Sequence, residues 1–230
     1  MIEENGSLRY ELKMTFEAGR LYEARTWVRT HPFAFRTSYP PRQVNNIYLD
    51  LPGMSLLSEH LDGIEQRYKL RFRWYGAEFS GIHGILEVKH KDENVGWKEN
   101  QPIASALDLL QMSWMEVMGI LAHDSCGWVS EMLQSARPAL INYYQREYFV
   151  SGDGQTRLTL DYDLNVFHQQ LHLRPNLTFR QPRQNLMLIE IKSGVKNTAE
   201  LADLLAEFPL RIGRFSKYVG AMDELLETFL

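Results

Sequence analysis

The segment Gln66 to Tyr75, QRYKLRFRWY, alternates charged and apolar residues over a full strand's length, and it limits the fold more sharply than any other stretch. At a period of two, Arg67, Lys69, Arg71 and Arg73 share one face, while Tyr68, Leu70, Phe72 and Trp74 share the other. A helix would spread both sets around its axis. The expected element is a β-strand with one apolar and one wholly cationic face. Same-face neighbours on a strand lie roughly 6.5 to 7 Å apart. Like charges at that spacing repel by about 0.6 kcal/mol in water and by about 2.4 kcal/mol at an effective dielectric of about 20. The cost is small on an open, solvated sheet face. In a confined site it must be offset by bound anions or acidic neighbours.

The pattern recurs along the chain. In RYELK and the following Met14, Arg9, Glu11 and Lys13 oppose Tyr10, Leu12 and Met14. Ile82 to His90 sets Glu87 and Lys89 against Leu86 and Val88. Leu140 to Val150 places Asn142, Tyr144, Arg146 and Tyr148 together, and the Gly152-Asp153-Gly154 turn returns the chain through QTRLTLDYD, with Arg157 and Asp161 on one side. Asn185 to Ser193 puts Glu190 and Lys192 opposite Ile189 and Ile191. With Val44 to Leu49 and a weaker strand at Leu177 to Arg180, about eight strands are expected. Helices are expected from Thr15 to about Val28, through Leu57 and Leu61, from Pro102 to about Leu110, and from Ser125 to Leu133. Trp114, Met115 and Met118 are read as core, and Pro32 and Pro40-Pro41 as breaks.

On the charged strand faces cations outnumber acids, although the 230-residue chain carries a net charge of −4. That overall balance gives no electrostatic case for nucleic acid or a membrane surface, so a polyanion must be attracted by local placement. Amphipathic antiparallel strands either pack apolar faces together as a sandwich, or close with those faces outward under helices. The helices favour the second solution: an α+β fold, an eight-stranded antiparallel β tunnel, closed as a barrel with a hydrophilic, cationic lumen. No linker-like segment divides residues 1–230, which are read as one domain. Cys126 is the single cysteine, no long apolar run is present, and the N-terminus lacks an apolar signal core. A cytoplasmic protein is expected, without a membrane segment of its own and compatible with a membrane partner. The histidines show no metal-ligand spacing.

The strands RYELK, QRYKLRFRWYG, ILEVKHK, YYQREYF, TRLTLD and LIEIKSG, followed by RFSKYVGAM, resemble in order the VTC domain, the polyphosphate-polymerase branch of the CYTH-like triphosphate tunnel superfamily, from about Leu8 to Met222. The resemblance implies a hydrophilic tunnel that uses ATP and a divalent metal, Mn2+ or Mg2+, to extend inorganic polyphosphate. Residue by residue, it implies phosphate-holding and catalytic roles for Arg71, Arg73, Lys89, Arg146, Arg157 and Lys217. Lys13 matches a first-strand lysine. Arg9, Lys69 and Lys192, on the charged faces, complete the expected phosphate set. Glu190 is the implied metal ligand, with Glu11 beside it on the first strand.

The frame Arg9-x-Glu11-x-Lys13 departs from the Glu-x-Glu-x-Lys opening of tunnel triphosphatases. A guanidinium in place of a carboxylate removes a metal ligand and adds a phosphate clamp, which favours holding a chain over hydrolysis. Three function classes stand at this point: a polyphosphate polymerase, a tunnel-type inorganic or nucleoside triphosphatase, and a non-catalytic polyphosphate-binding module. If the cationic face only repels itself, Arg71→Ala with Arg73→Ala leaves the ligand-free protein no less stable.

Overall fold

In the strand Arg67–Tyr75, Leu70, Phe72 and Trp74 are buried while Lys69, Arg71 and Arg73 stay partly exposed, so the period-two reading holds residue by residue. The computed structural model describes residues 2–4, 7–93, 95–181, 185–194 and 216–222, with side chains from Tyr10 onward. Its strands are β1 (Ile2–Glu4), β2 (Ser7–Glu17), β3 (Arg36–Asp50), β4 (Arg67–Tyr75), β5 (Ile82–Asp92), β6 (Val95–Leu107), β7 (Arg137–Val150), β8 (Thr156–His168) and β9 (Leu186–Gly194). Its helices are α1 (Leu21–Thr30), α2 (Ser55–Leu61), α3 (Trp114–Asp124) and α4 (Gly127–Ser135), and residues 217–222 are also helical.

The chain forms two compact units. The first is drawn from Met1–Arg42, Tyr144–Leu164 and Gln184–Ser216. In it β2 pairs antiparallel with β1 and β9, and β9 with β8. Its core joins Met14, Leu158, Leu160, Ile189 and Ile191 to Ala24 and Val28 of α1. The second unit is drawn from Gln43–Tyr143, Asn165–Arg183 and Lys217–Leu230. In it β3, β4, β5 and β6 pair antiparallel in that order. Leu70, Phe72 and Trp74 pack in one cluster with Trp114, Val117 and Leu121 of α3 and Val129 and Leu133 of α4. Burying each such side chain contributes roughly 1.5 to 3 kcal/mol. In both units the helices cover the apolar strand faces and leave the charged faces on the other side, which excludes the sandwich alternative for these strands.

Among the described residues neither ladder closes on itself, so the closed barrel expected from the sequence is not a property of either unit taken alone. Eight long strands are present among the described residues, but not the eight expected. Leu177 to Arg180 supplies only an isolated bridge, Phe167 to Arg180. The missing strand is β6, which runs through the segment read as a helix from Pro102. There Ile103 and Leu107 are buried, and pairing with β5 overrides the helix preference of Ala104 and Ala106. The helical stripe read from Thr15 begins too early, because Phe16 is buried as the penultimate residue of β2. Pro40 and Pro41 do not break the chain; they lie in the exposed first half of β3, where a missing N–H is tolerated. Met115 is 83% exposed and is not core. Gly84 marks a close approach, since a Cβ there would lie 2.4 Å from the Arg73 carbonyl oxygen and 2.5 Å from the Phe72 ring.

Candidate functional site

In the second unit, antiparallel register places Lys69 opposite Lys89, and Lys89 opposite Lys98. Three ammonium side chains thus stand in one row across β4, β5 and β6. Directly opposed like charges destabilise a sheet, so the row is an energetic cost that an anion would relieve. One step along, Arg71 faces Glu87. The Arg71 Nε donates to Glu87 Oε2 at 2.6 Å, and Arg73 Nη1 lies 3.7 Å from the same oxygen. Glu87 is buried. Burial works to raise its pKa, yet Arg71 and Arg73 overcome this and hold it at about 2. Arg73 also donates from Nε to Asn46 Oδ1 at 2.8 Å, and Asn46 donates to Asn142 Oδ1 at 2.8 Å. Both guanidinium groups are therefore oriented before any ligand arrives.

Lys217 joins this cluster through its neighbour. The Tyr218 ring stacks on Tyr48 at 4.9 Å, and Arg71 Nη1 donates to the Tyr48 hydroxyl at 3.3 Å. The Tyr218 hydroxyl donates a short hydrogen bond to Asp50 Oδ2. Asp50, buried at 1% exposure, also accepts the backbone N–H groups of Leu51, Leu56 and Leu57 at 2.7, 2.9 and 3.0 Å. Burial and the Asp50 charge push the Tyr218 pKa far up, so its proton stays in this bond.

A histidine stands beside these cations. Burial chiefly, then Lys69 and Arg67, lower the His60 pKa to about 3, and Nε2 meets the Tyr68 carbonyl oxygen at 3.1 Å. A folded value below the ordinary 6.5 means that stability is present above pH 6.5 and is lost as pH falls toward about 3. Tripolyphosphate bound at Lys69 and Lys89 is expected to raise the His60 pKa in an NMR titration. An unchanged His60 curve at saturating ligand would remove phosphate from this face.

In the first unit, Glu11 lies opposite Lys192 and Lys13 opposite Glu190, a checkerboard of alternating charge across β2 and β9. Lys13 Nζ lies 2.5 Å from Glu11 Oε1, and Lys192 Nζ lies 3.3 Å from Glu190 Oε1. On β8, Arg157 stands opposite Lys192 and Thr159 opposite Glu190, so like charges face each other here as well. The Arg146 Nε and Nη2 donate to the two Asp161 oxygens at 2.5 and 2.7 Å. Burial opposes the Arg146 charge, but Asp161 holds its pKa well above the usual value. Thus Glu11, Lys13, Arg146, Arg157, Glu190 and Lys192 gather in this unit, and Lys69, Arg71, Arg73, Lys89 and Lys217 in the other. The Arg9 side chain lies outside the described residues.

A divalent ion fits the donor set in one manner. Among the described residues no group of three His, Cys, Asp or Glu side chains could hold a metal. Mg2+-like ions, however, commonly take one or two carboxylates and complete their shell with water and substrate phosphate. Glu11 and Glu190 are diagonal neighbours on one face of the β2–β9 ladder, and the buried Thr159 hydroxyl opposite Glu190 has no hydrogen-bond partner among the described residues.

A family profile described as VTC domain matches residues 8–226. The chain belongs to the VTC domain family. The VTC fold also resembles solved structures. A candidate adenylate cyclase from Bacillus halodurans has a TM-score of 0.57 at 12% identity, covering 93% of this chain and 96% of that one. A Hippeastrum protein, described as a candidate adenylyl cyclase with a dominant triphosphatase activity, gives 0.53 at 16% identity, with coverage of 94% and 96%. The PH1819 protein from Pyrococcus horikoshii OT3 gives 0.50 at 13% identity, with coverage of 95% and 99%. At these identities the likeness concerns the fold alone. No curated protein matches the sequence.

Several residues beside these candidates carry no role in the sequence reading. Glu87 and Asp161 were read as charged-face residues without roles, yet they orient Arg71, Arg73 and Arg146. Lys98 was missed because β6 was missed. The Glu93-Asn94 pair between Asp92 and Val95 was a turn signal that could have revealed the hairpin. Asp50 and Tyr48 carried no local signal, and the RFSKYVGAM motif held Tyr218 without showing its partner, because their contact joins residues 168 positions apart.

Proposed function

We propose that this VTC domain transfers the γ-phosphoryl group of ATP to the end of an inorganic polyphosphate chain. The observation that carries the reading is the opposition of like charges in register: Lys69, Lys89 and Lys98 in one unit, Arg157 and Lys192 in the other. Such rows concentrate positive charge where an anion of high charge density would lower the repulsion. Family membership supports the polymerase reading, and the same membership supports closure of the strands into a single-domain tunnel.

In this reading a terminal phosphate oxygen of the chain attacks the γ-phosphorus in line. A new P–O–P bond forms, the bond to the β-phosphate oxygen breaks, and ADP leaves. The attacking oxygen is already ionised, so no strong general base is required, and positioning with charge neutralisation supplies the catalysis. Arg71 and Arg73 hold phosphate oxygens with guanidinium groups fixed by Glu87 and Asn46. Arg146, oriented by Asp161, does the same on β7, and Lys13, Lys89, Arg157, Lys192 and Lys217 add point charges. Glu190 and Glu11 would hold Mn2+ or Mg2+, which would neutralise charge on the triphosphate. The setting proposed is the cytoplasm. Cys126 is exposed and free, and among the described residues no helix is long and apolar enough to cross a membrane.

The deciding experiment incubates the protein with ATP and Mn2+ and resolves the products. Long polyphosphate with ADP is expected; orthophosphate without polymer would make the protein a triphosphatase, and no product a binding module. Glu190→Gln is expected to lower metal-dependent turnover by roughly a hundredfold or more, on the scale of lost electrostatic stabilisation, while phosphate affinity changes little. Full turnover in that variant would overturn the metal assignment.

A further inference from the structure

Beyond Arg146, the next residue on the same side of β7 is Tyr148, and around it the first unit builds a feature that phosphate alone does not need. The Arg146 guanidinium lies 5.3 Å from the Tyr144 ring centre and 6.0 Å from that of Tyr148. Arg42, from the exposed half of β3, stacks over the Tyr148 ring at 5.0 Å and donates from Nε to its hydroxyl at 2.9 Å. Tyr39 meets Tyr148 edge to face, with centres 5.8 Å apart at 76°, and remains 62% exposed. The result is an open aromatic corner, flanked by a guanidinium, one same-face step along β7 from Arg146.

We propose that Tyr39 and Tyr148 seat the nucleobase of the phosphoryl donor, and that Arg42 meets its α-phosphate. The donor is then a nucleoside triphosphate rather than inorganic triphosphate. The proposal rests on the phosphoryl-transfer reading and adds the residues that seat the donor's base and set its orientation. The base lies on the tyrosine corner, and the phosphates run along β7 toward Arg146. Inorganic polyphosphate has no flat ring to place there, so the corner distinguishes donor from acceptor. A base can stack on one ring and set its edge against the other, as offset and edge-to-face aromatic geometries favour. Every base offers a π-face, so ATP and GTP should bind alike.

The test compares the affinities of ATP, GTP and tripolyphosphate for the full chain, by calorimetry with Mg2+, in the parent, Tyr39→Ala and Tyr39→Trp. Tyr39 is exposed, so its removal should leave the fold intact, which the unfolding midpoint checks. Tyr39→Ala is expected to weaken ATP and GTP by roughly tenfold, the scale of base stacking on an aromatic side chain. Tripolyphosphate should change by less than about twofold, and Tyr39→Trp should bind ATP at least as tightly as the parent. ATP affinity unchanged in Tyr39→Ala overturns the proposal while leaving the phosphoryl-transfer reading in place. Equal losses for ATP and tripolyphosphate overturn it too, since the residue would then act on phosphate or on the fold. A parent protein that binds none of the three overturns the phosphate reading itself, and the corner with it.

Discussion

Tripolyphosphate at a hundred times its dissociation constant is expected to stabilise the protein by about 2.7 kcal/mol, and Arg71→Ala with Arg73→Ala to remove most of that gain. The two guanidinium groups are the oriented donors of the second unit, and each fixed fork gives a phosphate two directed hydrogen bonds that a lysine cannot. The same substitutions carry a second effect that the sequence pattern points the wrong way on. Charge repulsion along β4 implied that the ligand-free variant would be no less stable. Glu87 reverses this. It is 8% exposed and held ionised chiefly by Arg71 and Arg73, and removing both strips a buried carboxylate of its two strongest charge partners. Breaking such a pair costs roughly 3 to 5 kcal/mol. The folded pKa of about 2 lies below the ordinary 4.5. The pair therefore adds stability above pH 4.5 that is lost as pH falls toward 2. Adding Glu87→Gln to the double variant should restore much of the ligand-free stability without restoring the response to tripolyphosphate. Urea unfolding of all three proteins, with and without ligand, separates the effects. An undiminished ligand response in the double variant would place phosphate elsewhere.

Asp50→Ala is expected to destabilise the protein by about 4 kcal/mol or more, since each buried donor left unsatisfied costs about 1 to 3 kcal/mol. Asp50 accepts three backbone N–H groups at the start of the helical region after β3, together with the Tyr218 hydroxyl. Alanine abandons all four donors, and Leu56, Leu57 and Tyr218 are buried. Asp50→Asn should cost less, because its remaining oxygen can still serve Leu51 and Leu56, while the amide nitrogen cannot accept from Leu57 or Tyr218. If that pairing also holds Lys217 at the cationic face, Asp50→Asn should weaken tripolyphosphate binding although residue 50 never touches it. A loss of stability below about 1 kcal/mol in Asp50→Ala would mean that the orphaned donors find other partners.

Some of this was legible in the residues themselves. In β4 every second side chain is charged, and burial follows that alternation through Leu70, Phe72 and Trp74. The alternation that sets Glu190 and Lys192 opposite Ile189 and Ile191 marked a strand face that the structure keeps. Misreadings came where periodicity was weak. The run from Pro102 to Leu110, rich in Ala and Ser, fits a helix or a strand, and only the pairing of β6 with β5 decides it.

A period-two pattern determines which side chains share a face, and with the family motifs it determined most of the strands and the cationic faces of this protein. It cannot determine what stands across from each residue, because register is a long-range property set by the whole sheet. The tertiary structure alone therefore decided that Lys98 extends the row begun by Lys69 and Lys89, and that Arg71 and Arg73 are held by a buried Glu87. It alone decided that Tyr218 and Asp50 tie the segment bearing Lys217 to Tyr48 beside Arg71, since a contact across 168 residues leaves no trace in local sequence.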